Sequence, residues 1–453
     1  MSDANHGGTN GGMNGGTGWT RRGVLGAGLG AAAGMAIGAP MVLGGERWGK
    51  NRAAKNDVIQ VGMIGMGIRG RNIMNGSVLK NDRMRIVAMC DVDSTRLTHY
   101  ADKAEAHYAE AGAAGEIQRT QHAEEVLARD DIDAVIIATP DHWHATLCLA
   151  AMAAGKHVYC EKPLTHTLHE GKVLTAAAAA SGLAFLTGSQ QRTEYGHRFS
   201  RAVDLVRNGA IGRILTVNIG VGDPPKWCEL PTEAMEPGLD WDRWLGPAPL
   251  RGYHSDLSPR GVHGHYPVFR AYIEYSGGYL ADMGAHHYDI AHWAMGMDTD
   301  GPTETRAPAP GGAEDGKQRG VQLVYPNGVV LTHGGPSGTT FVGTEGMLHV
   351  DRGRMATVPG SLLEMELGED AELVEPPSGH MDHFLDCCEG KATPICGAQA
   401  GARTAAACQL TSLTYRLGRE LKWDAKAWAF EDDDEANGLL DYDRRDGYGL
   451  PSE

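Results

Sequence analysis

A chain of 453 residues is long enough for two or three domains, and 42% hydrophobic against 22% charged residues is a balance able to bury a core. The formal charge of −16 repels phosphate backbones and argues against DNA or RNA as a partner. Eight cysteines without one C-x-x-C pair argue against a cysteine metal clamp, and no disulfide framework is expected.

Residues 1–19 are rich in Gly, Asn and Thr and cannot pack. Thr20-Arg21-Arg22-Gly23-Val24-Leu25 follows, then an Ala/Gly-dominated apolar run over 26–43. Paired arginines before a weakly hydrophobic run read as a twin-arginine export signal. An uncleaved membrane anchor is the alternative, although a run so poor in Leu, Ile and Phe inserts only marginally. The export machinery is thus an expected partner and the periplasm the expected location. Signal and basic linker together take residues 1–55.

From 58 the pattern becomes strands alternating with helices. A strand over 58–64 runs into Gly65-Met66-Gly67-Ile68-Arg69-Gly70 and a helix to about 79. A second strand, 85–90, ends in Asp91-Val92-Asp93, before helices over 95–111 and 122–129. Strand 134–138, helix 142–154, strand 157–160, helix 168–180 and strand 183–187 continue the alternation. Such an order predicts a doubly wound parallel sheet, a Rossmann domain over 56–187.

Past 188 the rhythm changes. A helix over 197–208 leads to a strand over 214–221 and an irregular stretch to about 275 containing Trp227, Trp241 and Trp244. Short strands over 321–325, 329–333, 340–344 and 347–351, with a hairpin signal at Asn327-Gly328, predict a largely antiparallel open sheet. Helices over 380–388 and 398–419 complete an α+β domain spanning 188–425. Residues 426–453, with acidic runs at 431–435 and 441–446, read as a solvated tail.

The glycine motif follows a strand, opens a helix, and has Asp91 21 residues after its last glycine. Gly65 permits the tight turn, Gly67 lets backbone amides approach a pyrophosphate, and Gly70 lets helix and strand pack closely. The amides of Ile68 and Arg69 then face the phosphates from the helix start. Asp91 is expected to accept hydrogen bonds from the adenosine ribose, which favours NAD; Arg69 and Arg96 leave NADP open. Thr139-Pro140-Asp141-His142-Trp143-His144 and Glu161-Lys162-Pro163 both fall at carboxyl ends of parallel strands, where ligands bind in such sheets. If Asp282 begins a helix, then Asp282, His286 and Asp289 share one of its faces. Gln190, Arg192 and Tyr195 follow the last parallel strand and are candidate substrate contacts. His263 and His265 are read as satisfied or substrate-facing histidines rather than metal ligands. The three tryptophans either stack on a sugar ring or pack the core.

The glycine fingerprint, the E-K-P segment and the G-G-x-x-x-D-x-G-x-H-x-x-D segment at 277–289, in this order, resemble the Gfo/Idh/MocA oxidoreductase family. The resemblance covers roughly 57–423. It implies that Lys162 is catalytic, that the Lys162–Pro163 bond is cis, and that Asp282 and His286 complete the site. It also implies that Thr139, Pro140, His144 and Glu161 surround the nicotinamide half of the cofactor, and that subunits form dimers or tetramers across the open sheet. Two departures stand out: Ser276 occupies a position that is glycine in many members, and His287 doubles His286 as a substrate-facing imidazole.

Oxidising a carbinol requires a hydride to leave for nicotinamide C4 and a proton to leave the hydroxyl, so a positioned base is needed. Lys162 fills that role, with His286 sharing the proton and Asp282 orienting both. The expected activity is oxidation of the CH–OH group of a sugar, polyol or glycoside, with a cofactor recycled on the enzyme because free nicotinamide is scarce outside the cytoplasm. A redox-neutral glycosidase or lyase working through transient C3 oxidation is a close alternative. A non-catalytic sugar-binding Rossmann protein is the alternative of another class, and Lys162, Asp282 and His286 together argue against it.

Overall fold

The computed structural model describes residues 58–308 and 317–451. Arg21, Arg22, the apolar run after them and the basic linker lie outside the described residues. Short apolar runs build the first sheet: β1 (Ile59–Ile64), β2 (Met84–Cys90), β3 (Gln118–Thr120), β4 (Ala134–Ile137), β5 (His157–Cys160) and β6 (Phe185–Thr187). All pairings are parallel, in the order β3-β2-β1-β4-β5-β6. The order reverses between β1 and β4, which opens a crevice beyond their carboxyl ends. The polar edge strand β3 has no apolar signature and was not expected.

Helices α1 (Ile68–Ile73), α2 (Ser94–Glu110), α3 (Ala123–Leu127), α4 (His144–Ala153) and α5 (Leu168–Ser181) connect these strands. Local chemistry sets their ends. Asp93 caps α2 by accepting the Arg96 amide at 3.0 Å, and Thr167 with Glu170 forms a reciprocal capping box on α5. Gly182, at φ +63°, stops α5 in the left-handed conformation that glycine tolerates.

The second domain contains α6 (Arg198–Arg207), β7 (Ile214–Gly220), α7 (Trp241–Leu245), α8 (Gly278–Met295), β8 (Glu304–Arg306), β9 (Gln322–Val324), β10 (Val330–Gly343), β11 (Met347–Val350) and β12 (Met355–Val358). After these come α9 (His380–Cys388), α10 (Ala398–Leu417), β13 (Leu421–Asp424), β14 (Ala429–Phe430) and α11 (Asp434–Asn437). Its mostly antiparallel sheet has eight strands. The strands expected over 329–333 and 340–344 are two arms of β10. The register of β7 rises along Val330–His333 and falls along Thr339–Val342, so β7 lies between them. Gly334, Gly335 and Gly338, all at positive φ, carry the reversal.

One core layer joins Met63, Met89, Ile136, Leu97 and Tyr100 to Phe384 and Leu385 of α9, so the second domain helps cover the first sheet. The opposite layer runs from Ile137, Val158 and Leu174 through Tyr288 and Leu410 to Leu331 and Phe341. All eight cysteines are free. Among the described residues, no helix is long and apolar enough to cross a membrane.

Residues 426–451 are not the solvated tail their acidity suggested. Trp428 and Phe430 are buried, and Arg444 reaches Glu170 at 2.7 Å with both side chains inaccessible. Arg444 also pairs Asp441, and nearer the surface Arg419 pairs Asp433 and Glu435, so part of each acidic run is tied down.

Candidate active site

The crevice between β1 and β4 is shaped by glycines. Gly65 sits at φ +89°, and a Cβ there would meet the backbone of Ala138 and Thr139 below 3 Å. A Cβ on Gly70 would fall 2.0 Å from the Gly65 carbonyl oxygen, whereas one on Gly67 would meet nothing within 4 Å. Contact forces the first and third glycines; the second faces open space, as a cradle for a pyrophosphate requires. The Thr139 hydroxyl at the end of β4 is buried without a partner, a second polar group available to a dinucleotide. Pro140 immediately follows, ahead of the turn Asp141–Trp143. Ile68, at the start of α1, is buried.

Asp91 ends β2 as expected. Its carboxylate accepts the Met66 amide at 2.7 Å, the Asp93 amide at 2.8 Å and the Arg96 guanidinium at 3.1 Å, tying the acid to the glycine turn. Arg96 also donates to the carbonyls of Pro259 and Gly261, and its donors are thereby committed. Arg69, expected with Arg96 as an alternative phosphate ligand, instead points to the β5 end and pairs Glu161 at 2.9 Å. Neither arginine awaits a 2′-phosphate.

Lys162 stands beyond β5, and its Nζ donates to the Asp282 carboxylate at 2.6 Å and the Asp282 carbonyl at 2.8 Å. The Lys162–Pro163 peptide is cis. His144 ties this segment to β4: its ring nitrogens lie 2.7 Å from the Pro163 carbonyl and 3.0 Å from that of Thr139. Burial alone would raise the Asp282 carboxyl; Lys162 and Arg270 outweigh it and hold the group below the usual carboxylate range. Arg270 approaches the same carboxylate at 3.7 Å.

Helix α8 begins at Gly278, four residues earlier than expected, so Asp282 lies inside it rather than at its start. Asp282 and His286 still share a face. His286 is buried, with Nδ1 lacking a partner, and burial followed by the charges of Lys162 and Arg352 depresses its titration well below that of a free histidine. The third residue of that face, Asp289, turns inward to Arg192 at 2.7 Å.

Several expected substrate contacts have other work. Arg192 is wholly buried and spends its five N–H groups on Asp289, Asp298 and the Ile395 carbonyl. Gln190 donates to Tyr159 at 2.6 Å and to Glu161 at 2.8 Å, forming part of the floor. His287 faces β10, with Nδ1 3.1 Å from the Thr339 hydroxyl, and is therefore not the substrate-facing imidazole. Tyr195 remains half-exposed at the rim, its ring 5.2 Å from the Arg352 guanidinium. Trp241 and Trp244 stack at 4.6 Å in a separate apolar cluster, and Trp227 is exposed beside Arg416. His263 and His265 lie ring to ring at 5.2 Å on the strap that Arg71 and Arg96 hold.

Two groups escaped the sequence reading, and a third was marked there only as a departure from the family pattern. Ser276, at the departing glycine position, donates its hydroxyl to the buried Asp141 carboxyl, which burial raises. Only the departure itself signalled it. Arg270 and Arg352 come from irregular segments with no motif, and both guanidiniums act on Asp282.

Comparisons with known proteins agree with the two-domain fold. A profile described as "Oxidoreductase family, NAD-binding Rossmann fold" matches residues 59–189, and one described as "Oxidoreductase family, C-terminal alpha/beta domain" matches 201–450. An uncharacterized oxidoreductase of Bacillus subtilis (strain 168), YrbE, is 26% identical over 316 residues, 66% of this chain and 76% of its own. A glycosyl hydrolase family 109 protein 2 of Shewanella sp. (strain ANA-3) is 33% identical over 162 residues, 36% of this chain and 34% of its own. The crystal structure of the WlbA dehydrogenase of Bordetella pertussis in complex with NADH and UDP-GlcNAcA superposes with a TM-score of 0.54 at 19% identity. It covers 81% of this chain and 99% of that one, a likeness of fold. The chain belongs to the Gfo/Idh/MocA oxidoreductase family, with that family's NAD-binding Rossmann domain and C-terminal α/β domain.

Proposed function

We propose that this protein oxidises a CH–OH carbon of a sugar, polyol or glycoside, with an NAD that stays on the enzyme and is recycled there. The observation carrying this reading is the Lys162 ammonium held on Asp282, beyond β5 and beside the β1–β4 crevice. Bound NAD supplies the hydride acceptor. To act as the base, Lys162 works as the neutral amine: two N–H groups stay on Asp282, and the lone pair faces the carbinol hydroxyl and takes its proton as the hydride leaves for NAD. Kept neutral by burial, His286 stands on the same face of α8 as Asp282 and acts as an orienting group for the substrate more than a base.

Retention of the cofactor is supported by a strap from the second domain. Asp93 accepts from the Gly261 amide at 2.7 Å and from Arg260; Arg96 reaches the Pro259 carbonyl at 2.7 Å, and Arg71 that of His263 at 2.9 Å. Residues 259–263 thus lie along the loop after β2, where an adenosine ribose would sit, and slow its exit. Retention suits export of a loaded enzyme, which the Arg21-Arg22 pair supports. Assembly across the open sheet is supported by exposed Leu215, Met347 and Val358 on β7, β11 and β12.

The glycosyl hydrolase family 109 likeness favours a second reading, in which transient oxidation of a glycoside ends in elimination and hydride return. Mixing the purified NAD-bearing protein with a panel of sugars, polyols and aryl glycosides separates the two. Net cofactor reduction without sugar release is expected for the first reading. Release without net reduction would replace it by the second, and neither outcome with any substrate would remove both.

A further inference from the structure

We propose that Arg352 and Arg270 form an anion-recognition pair at the rim of this site, so that the substrate is an acidic sugar bearing a carboxylate or phosphate. The inference rests on the sugar-oxidising reading above and narrows its substrate class. Although the chain carries a net charge of −16, cations collect here. Two are already balanced: Arg69 by Glu161 and Lys162 by Asp282. The other two are not. Arg352 forms no ion pair with any described carboxylate; its Nε donates to the neutral Gln191 amide at 2.8 Å, and no described residue takes its terminal nitrogens. Arg270 forms its one described ion pair, at 3.7 Å, with the carboxylate that Lys162 already holds; it also acts on the Asp141 carboxyl, which burial raises, and its buried Nη1 has no partner. Glu194 feels the charge of Arg352, but burial raises that carboxyl and it makes no ion pair with Arg352.

Both guanidiniums are built into place. Gln191 bridges Arg352 to the His286 carbonyl, fixing the arginine relative to the catalytic helix. The Tyr195 ring supports Arg352 from a segment where Tyr195, Gly196 and His197 are all left-handed, at φ 63°, 65° and 59°. Two non-glycine residues, Tyr195 and His197, hold a conformation that L side chains resist, and His197 immediately precedes α6. The Arg270 guanidinium lies over the Phe269 ring at 4.5 Å and the Tyr266 ring at 5.3 Å. A planar guanidinium with idle terminal N–H groups suits an oxyanion better than a neutral hydroxyl.

The test uses the full NAD-loaded protein with glucose and galactose, their uronates and their 6-phosphates. Single-turnover cofactor reduction gives a maximal rate and the half-saturating sugar concentration, taken as KM, and calorimetry gives binding. One class of anion is expected to saturate at about 10- to 100-fold lower concentration than its neutral parent. Arg352→Gln is expected to raise KM for that anion by about the same factor and by far less for the neutral sugar, with Arg352→Lys intermediate because charge returns without the fork. Preference for uronate or for 6-phosphate identifies the substituent, and either supports the proposal. Equal saturation by neutral and acidic sugars, or an equal KM increase for both in Arg352→Gln, would overturn it. Binding of acids through Arg352 with no cofactor reduction would instead sink the oxidoreductase reading and leave the anion pair standing.

Discussion

Arg192 carries five N–H donors, and the fold uses every one inside a site where neither it nor Asp289 touches solvent. Burial costs such a pair much of its Coulombic gain, but removing one partner strands the other's charge. Arg192→Ala is therefore expected to lose about 3–5 kcal/mol of stability in urea unfolding, and a variant as stable as wild type would contradict the assignment. From sequence, Arg192 and Gln190 were indistinguishable from substrate contacts, because all residues just beyond a parallel strand point toward the crevice region. Only a count of satisfied donors separates a floor residue from a ligand. Lys162, Asp282 and His286 were legible because their spacing is itself the motif. Arg270 and Arg352 were silent, since an arginine in an irregular segment carries no periodicity to read.

Elements were legible where one periodicity dominated. The parallel strands alternate with helices, and nearly every one was found within a residue or two. Failures came where a second influence won. Helix α8 extends back to Gly278, where a glycine at φ +76° lets the chain pack against the backbone of Pro224 and Pro225, a close approach no pattern announces. In the tail, charge suggested solvent, but Trp428, Phe430 and Arg444 supplied enough anchors to hold it. The glycine turn gives the sharpest prediction at this scale. Gly67→Ala places a methyl in open space, so it should fold normally and bind NAD more weakly; Gly70→Ala drives Cβ into the Gly65 carbonyl and should lose folded protein. Thermal unfolding and NAD titration check both, and equal behaviour of the two variants would contradict the reading of the turn.

Across the whole molecule, buried histidines couple stability to pH. Burial pushes His287, His292, His333 and His380 down to about 4 and His142 to about 3, and His286 falls well below the free value. Below about pH 6.5 the unfolded chain protonates these rings while the fold does not. The unfolded state then binds more protons, so stability rises with pH and is lost as pH falls from about 6.5 toward 4, by up to about 1.4 kcal/mol per unit for each ring. Carboxylates held low, such as Asp93, Glu161 and Asp282, add their loss only at more acidic pH. Urea midpoints measured across that range should fall steadily, and a flat profile would contradict the neutral burial of these rings. The account as a whole turns on proton transfer by Lys162. The direct measurement mixes NAD-loaded wild type and Lys162→Ala with the best substrate of the panel and follows nicotinamide absorbance in a single turnover. Reduction in the variant should be slower by ~10²–10⁴ at unchanged NAD occupancy, and reduction at the wild-type rate would show that this amine moves no proton.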